Sequence, residues 1–483
     1  MQAFFKQFDP RLLALFAAAI IFYGANVDFM ALGDVYYYAN IIDARGFHDH
    51  TLHQGYYFVS LFTFQFFSLF SSELTLPQSM GYMNAIFGAG ILVVSWRLAG
   101  HFVERSSEQW LLVFCLLISY RLWSNATVAE VYTLQTFLVL LSFNFFVRGQ
   151  FFATGLAFAF AAWVTPLSAF SALFFPAFAY ARGYPLVPSL SKSALPVIVL
   201  YGLFLALFYE ELFWGSRGLF VVHEKIPFDV DQGIRSFGLY MFKHYNFLLL
   251  LWLPAIYAFK EHKTLLVVTL CTVIPNFYVI SKLTGEDNTF ILVLDFFFAI
   301  WMVKGWIVLN RWARNKPYLK LAGIACFVSS AGIFLYTQTP FANSEHREYE
   351  HQMRAVAERI NNEDKYLLTN WANAMAIVYY GRETPVVPFE QGELYDRIFE
   401  EIKISETDKD FFNRVDYLYA QETFGTSSLF ELYQSEEASK QKYQQHSSIL
   451  EFEYKFNLSC QPFSQELVPL YKCSPKSLLG TSD

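Results

Sequence analysis

Charged residues are scarce in this sequence, and that scarcity limits the class of protein it can encode. Asp, Glu, Lys and Arg make up 16% of the 483 residues, whereas soluble domains carry about 25%. Hydrophobic residues reach 55%, and the mean hydropathy is +0.30. The composition excludes a wholly soluble protein and indicates a membrane protein with some soluble mass attached. The mild formal net charge of −7 gives no reason to expect a nucleic-acid partner.

Cysteine is also rare, with five copies in the whole chain. Cys115, Cys271 and Cys326 lie in apolar runs, where a thiol usually packs as a small hydrophobic group. Cys460 and Cys473 lie in the polar C-terminal region. Their spacing allows a disulfide across a hairpin if that region faces an oxidising compartment.

The sequence lacks a metal-binding pattern, an internal repeat and a low-complexity linker. No Cys/His cluster has the spacing of zinc ligands. His48, His50 and His53 fall close together, but on a loop without a fixed helical geometry. We therefore expect neither a metal site nor a cofactor. The N-terminal apolar run has no small-residue cleavage site, so we expect a retained membrane anchor.

Apolar and aromatic runs dominate the first 340 residues, in a chain with 54 Phe and 30 Tyr. Aromatic side chains suit bilayer interfaces and apolar grooves. A membrane-spanning helix needs roughly 20 mostly apolar residues. Runs that approach this length lie at 12–31, 81–99, 110–126, 129–147, 151–166, 167–181, 195–213, 245–260, 264–281, 289–309 and 318–338.

One further apolar run, 56–72, determines the predicted topology. If it lies flat at the interface, most loop Lys and Arg residues collect on one side, which is the expected cytoplasmic face. If it spans the bilayer, most of these cations move outside. We therefore predict about eleven spans, interfacial helices in the first outer loop, a cytoplasmic N-terminus and an outer C-terminus. The expected location is the inner (cytoplasmic) membrane, with membrane lipids as neighbours.

The character of the chain changes near residue 340. The stretch HREYEHQMRAVAERI (346–360) predicts an exposed helix. KYLLTN (365–370), TPVVPF (384–389), VDYLYAQ (415–421) and LVPLYKC (467–473) predict short strands between helical segments. We expect a transmembrane domain over 1–340 and a small periplasmic α/β domain over 341–483.

The stretch GDVYYYANIIDARGFHDHTLHQGYY (33–57) follows the first predicted span and carries Asp34 at its outer end. A carboxylate at this position can accept a proton from an incoming nucleophile. The alternative is an interfacial or helix-capping Asp, which is the commoner role of a lone acid at a membrane edge. Asp28 and Asp43 are nearby rivals for the same chemistry.

The stretch RLWSNATVAEVYTLQTF (121–137) carries Glu130 at the outer start of the fourth predicted span. A Glu just inside the bilayer is costly unless it pairs or faces water, which favours a functional role. A Glu in the first turn is also favoured by the helix dipole, and both roles are compatible. Asp295 falls inside a predicted span, where function and a helix–helix hydrogen bond are the alternatives.

The outer loops also supply the cations that a phosphate site needs, although the loops of any membrane protein carry some. They are Arg121, Arg217, Lys225, Arg235, Lys243, His244 and Lys282. Glu286 and Asp287 lie at the mouth of the tenth predicted span.

These features together resemble the GT-C superfamily of multispan glycosyltransferases. In that superfamily an acid at the end of the first span is catalytic, short interfacial helices follow it, and many members end in an outer soluble domain. The resemblance implies a polyprenyl-phosphate-linked sugar as donor.

A narrower resemblance is to a bacterial branch related to protein O-mannosyltransferases. Its hallmark is W-S-x-A-x-x-A-E-V-Y-x-L, which residues 123–134 match. The branch also has a loop-one Asp followed by H-P-P-G-Y-P, and here His53-Gln54-Gly55-Tyr56 follows Asp34 at a similar interval. One proline is replaced by Gln54 and the other is deleted. Val164-Thr165-Pro166 stands where the branch commonly has an Asn-His pair.

The resemblance implies an inverting, metal-independent transfer of sugar to a protein or glycan acceptor on the outer face. Asp34 and Glu130 would be the catalytic residues. The substrate-binding residues would be His53, Gln54, Tyr56, Trp123, Tyr132, Arg217, Lys243, Lys282 and Asp287. The altered motifs leave open a catalytically degenerate scaffold or assembly subunit of a membrane complex. A polymerase or ligase of lipid-linked glycans also stays open, and a lipid-substrate transporter ranks third because the chain has no repeated halves.

Overall fold

A computed structural model describes residues 9–27, 34–43, 53–214, 230–282 and 291–338, five strands of the C-terminal region, and the single residues Arg354 and Tyr379. These residues fall into two compact units. The first contains most of the helices, and the second contains the strands together with one helix from the N-terminal region. The predicted domain boundary at 340/341 lies outside the described residues.

The first half of the helical unit runs from residue 10 to residue 182. Its elements are α1 Pro10–Ala25, α3 Gln54–Ser68, α4 Leu76–Ala99, α5 Ser106–Leu117, α6 Tyr120–Thr127, α7 Val131–Val147, α8 Phe151–Val164, a 3₁₀ turn Pro166–Ser171 and α9 Phe174–Arg182. The α4 helix begins with a capping box, in which Thr75 accepts from the backbone N–H of Gln78 and the Gln78 side chain accepts from that of Thr75.

The second half of this unit continues to residue 338. Its elements are α10 Leu186–Trp214, α11 Val230–Tyr245, a 3₁₀ turn Asn246–Leu251, α12 Trp252–Ala258, α13 Lys263–Lys282, α14 Leu294–Trp312 and α15 Pro317–Gln338.

Three of the described helices are long and apolar enough to cross a membrane: Leu76–Ala99, Leu186–Phe204 and Pro317–Tyr336. A fourth span results if the bent pair α6 and α7 is one segment. The other apolar helices are shorter, at 10–17 residues. The predicted total of about eleven spans therefore stays a prediction.

The predicted span 110–126 is divided between two helices in the structure. The α5 helix ends at Leu117 and α6 begins at Tyr120. Ser119 caps the new helix by accepting from the backbone N–H of Leu122. Beyond this break, Ser119 and Arg121 bond to the side chain of Asp295.

Phenylalanine packs the interior of the bundle as well as covering its surface. The rings of Phe143 and Phe174 stack with centroids 3.7 Å apart, and Phe174 also stacks on Phe178 at 5.6 Å. Phe146 and Phe175 extend the same buried cluster. The high Phe content therefore builds a contiguous core between α7 and α9.

The α3 helix occupies the predicted interfacial run and has two different faces. Gln54, Tyr56 and Ser60 are buried, whereas Phe58, Phe62 and Phe66 are exposed at a spacing of four residues, and Phe70 just after the helix is exposed as well. One face therefore packs on the bundle and the other is an aromatic stripe. Its flat orientation in the bilayer stays a prediction.

The second unit holds a five-stranded mixed sheet in the order β2-β1-β3-β5-β4. Its strands are β1 Leu367–Thr369, β2 Val386–Pro388, β3 Tyr417–Tyr419, β4 Leu458–Ser464 and β5 Leu470–Pro475. β1 pairs in parallel with β2 and β3, while β5 is antiparallel to both of its neighbours. The first three predicted strand segments contain β1, β2 and β3, and the fourth overlaps β5 over residues 470–473. The predicted helix at 346–360 lies outside the described residues, apart from helical Arg354.

The same unit includes α2, Asp34–Asp43, which comes from the predicted first outer loop. The ring of Tyr36 on α2 packs against that of Tyr379, with centroids 5.8 Å apart. The segment that carries Asp34 therefore packs with residues of the C-terminal region.

Candidate active site

A sharp bend between α6 and α7 carries Glu130. The two helices differ in direction by 116° across the break at 128–130. Glu130 precedes α7 with an extended backbone, and its side chain makes no capping hydrogen bond. The half-buried carboxylate lies at the N-terminal end of α7, where the helix dipole favours a negative charge.

The side chain of Asn84, on α4, fastens this bend. Its amide nitrogen lies 2.7 Å from the carbonyl oxygen of Val128, 2.6 Å from that of Glu130 and 3.3 Å from that of Asn125. The Thr133 hydroxyl donates to the same Asn125 carbonyl at 2.6 Å. Helix ends leave carbonyl groups without intrahelical partners, and two buried side chains supply the missing donors here.

Most positions of the motif at 123–134 serve packing. Its apolar members are at most 8% exposed: Trp123, Ala126, Ala129, Val131 and Leu134. A Cβ atom on Gly88 of α4 would lie only 2.5 Å from the Cβ of Ala126, so α4 and α6 approach closely. Glu130 and Tyr132 are half-buried. The motif therefore combines a packed bend with two polar side chains that keep partial exposure.

The segment His53-Gln54-Gly55-Tyr56 packs against the end of α8. The Nδ1 atom of His53 lies 3.1 Å from the carbonyl oxygen of Val164. A Cβ atom on Gly55 would lie 2.9 Å from the carbonyl carbon of Trp163 and the nitrogen of Val164. Because both are backbone atoms, only glycine permits this approach. The structure thus brings together the two segments in which the sequence departs from the motifs it resembles.

Tyr56 links this segment to Glu130. Burial raises the pKa of the Tyr56 phenol well above its usual range, and the negative charge of Glu130 raises it further. Hydrogen bonds with Ser60 and Asn84 act in the opposite direction. The phenol is therefore a neutral group that can donate a hydrogen bond. Gln54 is also buried, on the same turn of α3.

A buried ion pair ties the start of α6 to the start of α14. Arg121 Nη1 lies 3.2 Å from Asp295 Oδ1, and the Ser119 hydroxyl donates to Asp295 Oδ2 at 2.8 Å. The side chains of Arg121 and Asp295 are 0% and 2% exposed. Asp295 therefore makes the interhelical contact that was the structural alternative for an acid in a span. The Nε and Nη2 atoms of Arg121 have no hydrogen-bond partner among the described residues.

The end of α11 reaches the same helix. The ring of His244 stacks on that of Tyr120, with centroids 5.5 Å apart and planes at 18°. Lys243 is the preceding residue of α11, so its backbone lies near α6. The side chain of Lys243 lies outside the described residues.

The remaining predicted site residues are described only in part or not at all. Asp34 is the first residue of α2, and Lys282 is the last residue of α13. The structure describes the backbone but not the side chains of Asp34 and Lys282. Arg217 and Asp287 lie wholly outside the described residues. Their roles stay predictions.

Three residues that hold α6 and the bend were not predicted as site residues from the sequence: Asn84, Ser119 and Thr133. Asn84 offered a signal, because an amide in the apolar run GYMNAIFGAG needs a buried partner. Ser119 and Thr133 offered none, since Ser and Thr in apolar helices usually bond to their own backbone.

Two solved structures of ArnT from Cupriavidus metallidurans match the chain over nearly its full length. The structure bound to undecaprenyl phosphate gives a TM-score of 0.59 at 10% identity, covering 98% of this chain and 99% of that chain. The apo structure gives 0.58 at 12% identity, covering 96% and 98%. This chain has the fold of ArnT. No protein-family profile and no curated protein matches the sequence.

The ArnT-like fold confirms the predicted GT-C-type architecture. With its apolar helices, it identifies the chain as a multi-pass integral membrane protein. Among the described residues, no three His, Cys, Asp or Glu side chains are grouped so that they could hold a metal ion.

Proposed function

We propose that this protein is a membrane glycosyltransferase. It takes a sugar from a polyprenyl-phosphate-linked donor and transfers it to a protein or glycan acceptor on the outer face of the membrane. The observation that supports this proposal most is the ArnT-like fold over nearly the whole chain, because one of the two ArnT structures is bound to undecaprenyl phosphate. The motif around Glu130 supports it from the sequence side.

In the proposed reaction Asp34 is the base. It accepts the proton of an acceptor hydroxyl, whose oxygen attacks the anomeric carbon of the donor sugar in line. The bond between that carbon and the phosphate oxygen breaks, and the configuration inverts. The polyprenyl phosphate leaves with its electron pair.

The leaving phosphate needs cations rather than a protonating acid, because a phosphate is already a good leaving group. Lys282, Lys243 and Arg217 are proposed for this role. Asp287 would help to orient them. No step of this mechanism calls for a metal ion, so we expect activity to survive a chelator.

Glu130 and the residues around it are proposed to hold the acceptor side. The neutral phenol of Tyr56 is a hydrogen-bond donor near the Glu130 carboxylate. His53 and Gln54 would form the floor of the cavity, with Tyr132 and the indole of Trp123 at its wall. The hydrogen bonds from Asn84 to the backbone of the bend would hold Glu130 in place before substrate binds. Glu130 would then orient the acceptor without first having to become ordered itself.

A scaffold without turnover and a lipid-linked-glycan polymerase or ligase are the competing functions. The altered H-P-P-G segment favours the scaffold, since Gln54 is buried where the related motif has proline. Transfer to, or hydrolysis of, a polyprenyl-phosphate sugar excludes the scaffold. Transfer of a preassembled glycan rather than one sugar identifies a ligase.

The decisive test is Asp34→Asn in the purified full-length protein, assayed with a panel of polyprenyl-phosphate sugars. This change keeps the shape of the side chain and removes the base, so we expect transfer to fall by at least about 100-fold. Asp43→Asn, at the other end of α2, is the matched control and should retain activity. Equal loss in both variants, or full activity in Asp34→Asn, contradicts the assignment.

The phosphate role is tested with Lys282→Ala. We expect weaker donor binding with little change in acceptor binding, because the lost charge faces the phosphate. Lys263→Ala, at the opposite end of α13, is the control. If donor and acceptor binding weaken equally, Lys282 does not serve the phosphate.

A further inference from the structure

The antiparallel hairpin of β4 and β5 brings two cysteines into register. Cys460 pairs with Cys473 across the two strands, between the pairs Ser459 with Ser474 and Gln461 with Lys472. The irregularity of this hairpin lies between Pro462 and Ser464, so the ladder is regular on both sides of the cysteine pair.

This register satisfies the geometric requirement of a disulfide. Directly opposite residues of an antiparallel pair have Cα atoms about 4.5 or 5.5 Å apart, depending on their place in the ladder. Their Cβ atoms are about 4.5–5.5 Å apart on one face of the sheet. A disulfide needs Cα atoms about 4.4–6.8 Å apart. The register of Cys460 with Cys473 therefore meets the Cα separation that a disulfide needs.

The other three cysteines of the chain provide an internal contrast. Cys115, Cys271 and Cys326 are free, and each lies in an apolar helix of the first unit. The paired cysteines lie instead in the unit that is predicted to face the oxidising side of the membrane.

We infer that Cys460 and Cys473 form a disulfide that locks the β4–β5 hairpin at the edge of the sheet. Two S–H bonds break and one S–S bond forms. The two electrons and the two protons pass to the disulfide of a thiol–disulfide oxidoreductase on the outer side, whose S–S bond breaks to give a dithiol. This inference rests on the predicted outer position of the C-terminal region and not on glycosyl transfer.

Thiol counting on the full-length protein tests the bond. The membrane-bound protein is denatured in detergent in the presence of a maleimide–polyethylene glycol reagent. Each free thiol then binds one reagent molecule, and the added mass is resolved by gel electrophoresis. We expect three modified cysteines per chain before reduction and five after it. Cys460→Ser and Cys473→Ser should each show four before reduction, because each leaves one partner free. Five modified cysteines in the unreduced protein overturn the inference.

Peptide mapping identifies the bonded partners. Trypsin cleaves after Lys455, Lys472 and Lys476, which places Cys460 and Cys473 on two separate peptides. We expect these two peptides to run as one species under non-reducing conditions and to separate after reduction. A bond to any other cysteine, or to a second chain, contradicts the proposal. Neither measurement depends on enzymatic activity, so this result and that of the Asp34→Asn assay are independent.

Discussion

The α14 helix makes an ion pair at each end, and the two pairs have the same length in different surroundings. Asp295 in its first turn pairs with Arg121, and Arg311 in its last turn pairs with Glu261, each at 3.2 Å. The side chains of the first pair are 0% and 2% exposed, whereas those of the second are 56% and 53% exposed. Both acid and base lie where the helix dipole favours them.

Equal distance does not mean equal consequence. In the exposed pair, each charged group replaces hydrogen bonds to water with hydrogen bonds to its partner, so the pair adds little to the free energy of unfolding. Dissolved salt screens the remaining attraction. The buried pair has lost its water, so each charge depends on the other and on added hydrogen bonds such as the one from Ser119. Arg121 also begins the helix that leads to Glu130. The buried pair therefore fixes the start of α6, the helix that leads to Glu130, while the exposed pair joins the end of α14 to Glu261.

The largest expected effect comes from removing one half of the buried pair. Asp295→Ala leaves the Arg121 charge buried without its counterion, so we expect the free energy of unfolding to fall by about 3–5 kcal/mol. Thermal unfolding of the purified protein in detergent measures this. The double replacement Arg121→Met with Asp295→Leu should recover most of the loss, because no charge remains buried. A loss below about 1 kcal/mol in Asp295→Ala would show that the two surroundings are equivalent.

An intermediate effect is expected where the buried group is polar but uncharged. Asn84→Ala removes the donor shared by the carbonyl groups of the bend and leaves buried acceptors unpaired, at a cost of about 1–3 kcal/mol. Ser95→Ala on the same helix is the control, because the buried Ser95 hydroxyl has no hydrogen-bond partner among the described residues. If both variants unfold at the same temperature, the amide does not hold the bend.

The smallest effect is expected from Glu261→Gln. It breaks the exposed pair, and we expect a change of at most about 1 kcal/mol that vanishes at high ionic strength. Arg311→Gln should give the same result within error. The comparison fails if either variant loses as much stability as Asp295→Ala.

Much of the fold followed from hydropathy and local pattern. Apolar runs predicted the helices, because burying or dissolving such surface in lipid needs a regular backbone. Strands lie within three of the predicted strand segments of the C-terminal region and overlap the fourth. The run 110–126 contains parts of two helices, a division that hydropathy did not indicate because it does not register a cap such as Ser119 inside an apolar stretch.

The candidate site was predicted in outline but not in its connections. The motif at 123–134 marked Glu130, and the loop motif marked His53 and Tyr56. Neither indicated that Gly55 meets the backbone at Val164, or that α2 packs with the C-terminal region. Contacts between residues far apart in the sequence produce no periodic pattern of apolar residues, and so the sequence alone does not indicate them.

By itself the sequence determined that this is a membrane protein built largely of apolar helices, because composition and apolar length depend only on local transfer energies. The tertiary structure alone decided the partners of the buried polar groups. Asn84 bonds to carbonyl groups 41–46 residues away, and Asp295 accepts from side chains 174 and 176 residues away. A buried polar group must be paired, but the identity of its partner is fixed only when distant helices pack together.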